Sequence, residues 1–406
     1  MMATAPDSPA LSSTATRAGA GRPRVALVCD LVEENWPSMQ LVADMLGRHL
    51  ELDHSGQWEM ARLCPSMRRH FSVLPGSRAF WNNADRLTNR FVDYPLWLRH
   101  ERAAFDLFHI VDHSYSQLVH QLPAERTVVT CHDLDTFRCL LEPSAEPRPG
   151  WFRAMSRRIL KGFEKAAHVI TVSATTRDAI LHYGLLPAER VTVVHNGVHP
   201  ACTPAPDPSA DEAASRLLPA KTADAFWLLH VGSTIPRKRI DVLLRVFAAV
   251  RAEIPGARLV RVGAPFTPAQ LQLSRDLGIE ASIQTLAGVK PEVLAAIYRR
   301  ADVLLQPSES EGFGLPVVEA LACGCPVIAS DIPVLREVGG PAAIYAMAGD
   351  IAAWRDAVLA LHKERAQPSW ELRSQLGVLQ AARFSWAETA DQVARIYDMV
   401  LRKSNA

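Results

Sequence analysis

What most restricts the fold of this chain is a doubled series of short apolar runs, rich in Val, Ile and Leu, alternating with stretches of helical periodicity. The first series falls at residues 24–29, 106–111, 127–131, 168–172 and 191–195, the second at 227–231, 257–262, 283–287, 303–306, 325–329 and 342–345. A strand with one wet face alternates apolar and polar residues. These runs are nearly continuous, the pattern of strands buried on both faces of a parallel sheet. The expected fold class is therefore α/β, with two Rossmann-like, doubly wound sheets and a ligand cleft at the carboxyl ends of their strands. Pro204, Pro206 and Pro208 interrupt the pattern and mark a linker. The expected organisation is a disordered leader over residues 1–22, one Rossmann-like domain over 23–202, a second over 203–383, and a helical tail over 384–406.

Composition narrows the function. The 406 residues are 48% hydrophobic and 21% charged, with a formal net charge of +1, which suits two or three full cores and calls for no nucleic acid. Seven cysteines are scattered, and the one close pair, Cys323 and Cys325, is too tight for the usual zinc or redox spacing. Reduced thiols in a cytosol are the simplest account. The leader, rich in Ala, Ser, Thr, Pro and Gly, lacks the apolar core of a secretion signal, and no apolar run is long enough to span a bilayer.

Chemistry concentrates at residues 307–331, which read as loop, helix and strand after the apolar run that ends at Gln306. Pro316 suits a first helical turn and Gly324 a helix stop. Between them and the strand, Gly312, Phe313, Gly314 and Leu315 offer backbone N–H groups at a positive helix end, where a diphosphate fits. Glu311 and Glu319 bracket this loop and can accept hydrogen bonds from vicinal hydroxyls.

The spacing of Glu311 and Glu319 within E-G-F-G-L-P-x-x-E-A-x-A-x-G-x-P-V resembles the signature of the retaining glycosyltransferase family 4. The resemblance implies a GT-B fold, two Rossmann-like domains facing a central cleft, with Glu311 at the transferred sugar and Glu319 at the ribose. It continues at Gly232, Ser233, Arg237 and Lys238, where Lys238 takes the place of the phosphate-binding lysine. Ser233 stands where many members have an arginine, so Arg237 is the nearest second cation, and Arg239 replaces the usual glycine or asparagine. In the first domain, the acceptor side, residues 129–137 resemble a T-x-H-D-L segment whose histidine, His132 here, lies beside the donor sugar. Residues 195–198 resemble a turn that ends this domain, and the tail, by the same likeness, crosses back onto it. The expected catalytic residues are His132, Lys238 and Glu311; the donor-binding residues are Gly232, Ser233, Arg237, Lys238, Glu311, Gly312, Phe313, Gly314, Leu315 and Glu319.

The resemblance implies transfer of a hexose, with retention, from a nucleoside-diphosphate sugar to a glycan or lipid-linked acceptor, in cell-envelope or exopolysaccharide synthesis. The nucleotide sugar is a donor substrate, and no cofactor is expected. Asp133 and Asp135 spell the metal-binding D-x-D of another glycosyltransferase architecture, but Asp133 belongs to the histidine segment, and no metal is expected. Ser38 reads first as a helix cap. Residues 65–105 carry seven arginines interleaved with Phe71, Phe80, Trp81, Phe91, Tyr94 and Trp97. This is either a solvated helix face backed by core aromatics or a surface for anionic lipid, which would put a cytoplasmic enzyme at the inner face of the membrane. Alternative functions are a catalytically silent partner subunit, a GT-B sugar-nucleotide epimerase, and a two-lobed solute-binding protein, which should carry an export signal.

Overall fold

The computed structural model describes residues 21–34, 36–73, 75, 77–218, 220–222 and 224–405; all but the last two residues of the expected leader lie outside them. Twelve strands appear among the described residues: β1 (Arg24–Val28), β2 (Glu59–Leu63), β3 (Leu107–Ile110), β4 (Thr127–Cys131), β5 (His168–Thr171), β6 (Val191–Val193), β7 (Phe226–Val231), β8 (Ala257–Val262), β9 (Ile283–Leu286), β10 (Val303–Gln306), β11 (Val327–Ser330) and β12 (Ile344–Ala346). They form two six-stranded parallel sheets, ordered β2-β1-β3-β4-β5-β6 and β12-β11-β10-β7-β8-β9. The strand order reverses beside β1 in the first sheet and beside β7 in the second, so loops from neighbouring strand ends diverge there and leave room for a ligand.

The first sheet has one strand more than its apolar runs announce. The extra strand, β2, lies at the edge, and only Leu63 of its five residues is buried. An edge strand pairs on one side and needs no continuous apolar run. In the second sheet, the expected strand at 325–329 begins at Val327 instead. The preceding Pro326 has no N–H to give the ladder, although its carbonyl accepts from Leu304.

Both faces of the second sheet are covered. Phe247 and Trp354, from helices Ile240–Glu253 and Ile351–Glu364, pack with Leu228 and Leu305 on one side. Tyr298 and Val317, from helices Pro291–Arg300 and Leu315–Ala322, pack with Trp227 and Leu304 on the other. The proline-rich stretch feeds directly into helix Pro208–Leu217, capped by the Asp207 carboxylate, which accepts the N–H groups of Ser209 and Ala210 at 3.0 and 3.1 Å. By contrast, Ser38 caps nothing: it lies exposed inside helix Pro37–His54, whose N-cap residue, Trp36, makes no side-chain cap bond. No helix among the described residues is long and apolar enough to cross a membrane.

The tail forms helix Trp386–Asn405 and lies on the first lobe, where Trp386, Val393, Tyr397 and Val400 pack with Val42, Leu46, Leu50 and Trp58. A polar lock sits inside this contact: the Tyr397 hydroxyl is 2.7 Å from Nδ1 of His109, whose pKa burial lowers to about 3. The tail enters over Gly197, where a Cβ would meet the Trp386 nitrogen at 2.3 Å. Gly197→Ala is therefore expected to destabilise the protein by about 1–3 kcal/mol through overpacking. Chemical denaturation checks this, and wild-type stability would show that the crossing is loose.

Candidate active site

The site is assembled from strand ends. After β7 the chain turns at Gly232, runs through Ser233 and enters a short 3-10 turn, Pro236–Lys238, that delivers Arg237 and Lys238. Arg239 follows in the left-handed region at φ 47°, and no other non-glycine residue among those described has positive φ. This conformation explains why glycine or asparagine suits the position: an ordinary side chain there costs roughly 1–2 kcal/mol. Here Asp241 accepts two bonds from the Arg239 guanidinium, each 3.1 Å, and anchors it.

After β10, Gln306 and Glu311 enter the same space. The Lys238 ammonium donates to both oxygens of Glu311 at 2.6 and 2.7 Å, and Gln306 Nε2 donates to Oε1 at 2.5 Å. The two ionic side chains are 12% and 5% exposed, so water screens their attraction little. Burial alone would raise the Glu311 pKa, but the charges of Lys238 and Arg237 outweigh it and hold the carboxyl below its ordinary range.

The glycine loop follows. Gly314, at φ 104°, is the N-cap of helix Leu315–Ala322, Pro316 stands in its first turn, and the chain turns away at Gly324, φ 73°. Among the described residues, the N–H groups of Gly312, Phe313 and Gly314 meet no acceptor and stay available to an anion. The Phe313 ring does not face a ligand: it is buried against His195 and Phe384, with centroids 6.0 and 5.6 Å away, so only its backbone serves the loop. Leu315 and Ser233 are half-buried beside these groups.

His132 comes to the same place from the first lobe. A Cβ on Gly312 would lie 1.9 Å from the His132 carbonyl oxygen, so the histidine segment touches the glycine loop directly. The ring is buried, Nε2 lies 2.8 Å from the Val111 carbonyl, and burial lowers the pKa, leaving a neutral imidazole that donates through Nε2. Asp133 and Asp135 are committed to Arg237 at 3.3 and 2.9 Å, while the same guanidinium donates to the Ser310 carbonyl at 2.9 Å and lies 3.5 Å from Glu311. Arg237 thus joins the lobes. A second junction is Glu337, which accepts from the Ala174 N–H at 2.8 Å and pairs with His195 at 2.7 Å.

Glu319 stands apart from the Lys238 cluster. It is buried in helix Leu315–Ala322, Oε2 accepts from the Tyr298 hydroxyl at 3.0 Å, and among the described residues no ion pair joins it to Lys238 or Arg237. Burial raises its pKa to about 7 against the opposing pull of the Tyr298 bond.

Sequence reasoning missed several partners. Gln306 ends an apolar strand and Tyr298 sits on an apolar helix face, so neither announces a polar role, although a single glutamine closing a V-L-L-Q strand was a usable signal. Arg261 of β8 is wholly buried, donates to the Gly232 carbonyl at 3.1 Å and places a cation beneath the turn that lacks the usual arginine. Only the register of β7 against β8, His230 beside Arg261, reveals it.

The profile described as "Glycosyl transferases group 1" matches residues 218–377, and "Glycosyltransferase Family 4" matches residues 57–201. The O-antigen chain mannosyltransferase B of Escherichia coli is 30% identical over 294 residues, 70% of this chain and 72% of that protein. The chain belongs to glycosyltransferase family 4. The D-inositol 3-phosphate glycosyltransferase of Mycobacterium bovis is 32% identical over 59% of this chain, which spans about half, 49%, of that relative. Anabaena HepE in complex with UDP and glucose superposes with a TM-score of 0.69 at 15% identity, covering 93% of this chain and 100% of HepE, the GT-B fold.

The contact between lobes is testable at one atom. Gly312→Ala should leave both sheets folded yet force the glycine loop away from His132, and small-angle X-ray scattering should read a more open particle. A scattering curve identical to wild type would contradict the close approach.

Proposed function

We propose that this glycosyltransferase moves a hexose, with retention of configuration and without a divalent metal, from a nucleoside-diphosphate sugar to a hydroxyl of a glycan or lipid-linked acceptor. The observation that carries the reading is the Lys238 ammonium, fixed by Glu311 beside a loop whose amides are open. As the bond from the anomeric carbon to phosphate lengthens, charge grows on the diphosphate. Lys238 and the amides of Gly312, Phe313 and Gly314 stabilise that charge more than the ground state, which lowers the barrier. Glu311 then turns its freed oxygens to the hexose hydroxyls, and Glu319 accepts from the ribose. Departure of the diphosphate on the acceptor's own face lets its phosphate take the acceptor proton, so no side-chain nucleophile is required.

The O-antigen relative supports a cell-envelope polysaccharide as product. Lys238 and both glutamates are present, against a silent partner subunit; incubating donor without acceptor separates transfer from epimerisation. For a membrane contact, Phe80 is 62% exposed beside exposed Arg78, whereas Tyr94 is core and Arg90 is paired with Glu34 at 3.2 Å. The lipid surface is therefore narrower than residues 65–105 as a whole. Flotation with anionic liposomes should recover the protein, and no flotation even at low salt would leave only a solvated face.

Lys238→Ala is expected to keep the fold and raise the barrier by roughly 2.7–4 kcal/mol, as loss of one preorganised donor does. Steady-state turnover with the best nucleotide sugar from a thermal-shift screen checks this, and wild-type turnover would refute the assignment. Glu319 supplies a pH test. Its carboxyl must be ionised to accept from two ribose hydroxyls, and its pKa is raised to about 7. Nucleotide affinity should therefore rise between about pH 6 and about pH 8, as the site loses its proton. In Glu319→Gln the dependence should vanish; a flat wild-type profile would argue that the ribose binds elsewhere.

A further inference from the structure

The turn that carries Lys238 rests on a buried cation that no acid balances. Arg261 belongs to β8, opposite His230 of β7, and its side chain is wholly buried. Burial alone acts on it, lowering its pKa to about 10, and among the described residues no carboxylate pairs with it. Its Nε meets no acceptor there, and the guanidinium carbon lies 4.9 Å from the centre of the Phe266 ring, which brings π density but no charge. His230 offers no charge either: burial first, then the charges of Arg261 and Lys238, lower its pKa to about 3, and the imidazole is neutral. A cation withdrawn from water without a counter-ion is costly to keep, and an arriving anion relieves that cost.

The guanidinium is turned toward one peptide of the site. It donates to the Gly232 carbonyl at 3.1 Å and also to the Ala264 carbonyl. The Gly232 N–H faces β8 as well, donating to the Val262 carbonyl at 2.9 Å, and Gly263, at φ 142°, comes so near that a Cβ there would meet the Gly232 oxygen at 2.0 Å. The Gly232 carbonyl is thus fixed by a charge and by a close backbone contact.

A fixed carbonyl fixes the amide that follows it. The described residues contain no cis peptide, and in a planar trans peptide the N–H points opposite to the carbonyl, so the Ser233 N–H is directed away from β8. Strand order puts β10 on that side of β7, and β10 ends at Gln306, ahead of Glu311 and the glycine loop. Among the described residues the Ser233 N–H meets no acceptor. The guanidinium polarises this peptide and strengthens its N–H as a donor, and its charge acts over a longer range in the protein interior than it would in water.

We infer that Arg261 is a positioning residue for the donor: through the Gly232 carbonyl it directs the Ser233 N–H at the diphosphate, and its unpaired charge behind that peptide adds to the pull of Lys238. Ser233 itself brings no charge to the turn, so the second cation reaches the site from the neighbouring strand. The inference rests on the transferase reading above.

The test uses the full chain, with UDP, GDP and ADP as probes in titration calorimetry and the matching nucleosides in saturation-transfer NMR. The wild type should bind one diphosphate more tightly than its nucleoside. Arg261→Gln, which keeps a donor but no charge, should weaken that diphosphate about tenfold or more and leave the nucleoside within about threefold, the loss expected when a charged partner is removed. Arg261→Lys, which keeps the charge, should lie closer to the wild type than to Arg261→Gln. A merely structural role would move nucleoside and diphosphate together, and a misshapen turn would affect both variants alike. Wild-type diphosphate affinity in Arg261→Gln therefore overturns the inference, as does equal loss in the two variants or equal loss of nucleoside and diphosphate. A wild type that holds the nucleoside as tightly as the diphosphate overturns it as well. Loss of folding in both variants does the same, because it makes Arg261 structural. A wild type that binds none of the three diphosphates removes the transferase reading itself, and this inference with it.

Discussion

A lysine and a glutamate, both withdrawn from water at the meeting point of two sheets, set the conditions for everything else in the cleft. Burying an ion pair is costly, because each charge loses its hydration, and the pair holds only where geometry and extra hydrogen bonds repay the loss. Lys238 and Glu311 meet those terms through two short bonds, with Gln306 and Arg237 on the glutamate's remaining lone pairs. In the proposed reaction, an arriving diphosphate would offer Lys238 a richer anion, and the sugar hydroxyls would offer Glu311 new donors. On that reading, the pair is a stored arrangement in which each member would exchange the other for a group of the substrate.

Closure of the lobes depends on the same economy of charge. Arg237 is reached by Asp133 and Asp135 from one lobe and by Glu311 and the Ser310 carbonyl from the other, and Glu337 ties helix Ala174–His182 to the opposite side. These contacts lie where backbone approaches backbone, at Gly312 and His132, so small residues set the separation and charges hold it. Both carboxylates of the D-x-D pair, Asp133 and Asp135, face this guanidinium.

How much of this was legible follows from the kind of signal each part carries. Central strands buried on both faces leave continuous apolar runs, and all six strands of the second sheet and five of the first could be read from the chain; β2, an edge strand with one buried residue, left no such run. The glycine loop was legible because Gly312 and Gly314 are required by a close contact and a positive φ, constraints that fix residue type. Long-range partners were not. Tyr298, Arg261 and Glu337 acquire meaning only from strand register and lobe contact, which no local pattern records. Arg239 is instructive: its sequence position looked like a minor departure, yet it bears a left-handed backbone that its ion pair with Asp241 has to hold.

The most direct measurement is a crystal structure of the protein with an intact nucleotide sugar bound. The account expects diphosphate oxygens within hydrogen-bond distance of the Lys238 ammonium and of the amides of residues 312–314, the hexose against Glu311 and the ribose against Glu319. A complex in which Lys238 still gives both bonds to Glu311, with the diphosphate lodged away from the glycine loop, would contradict it.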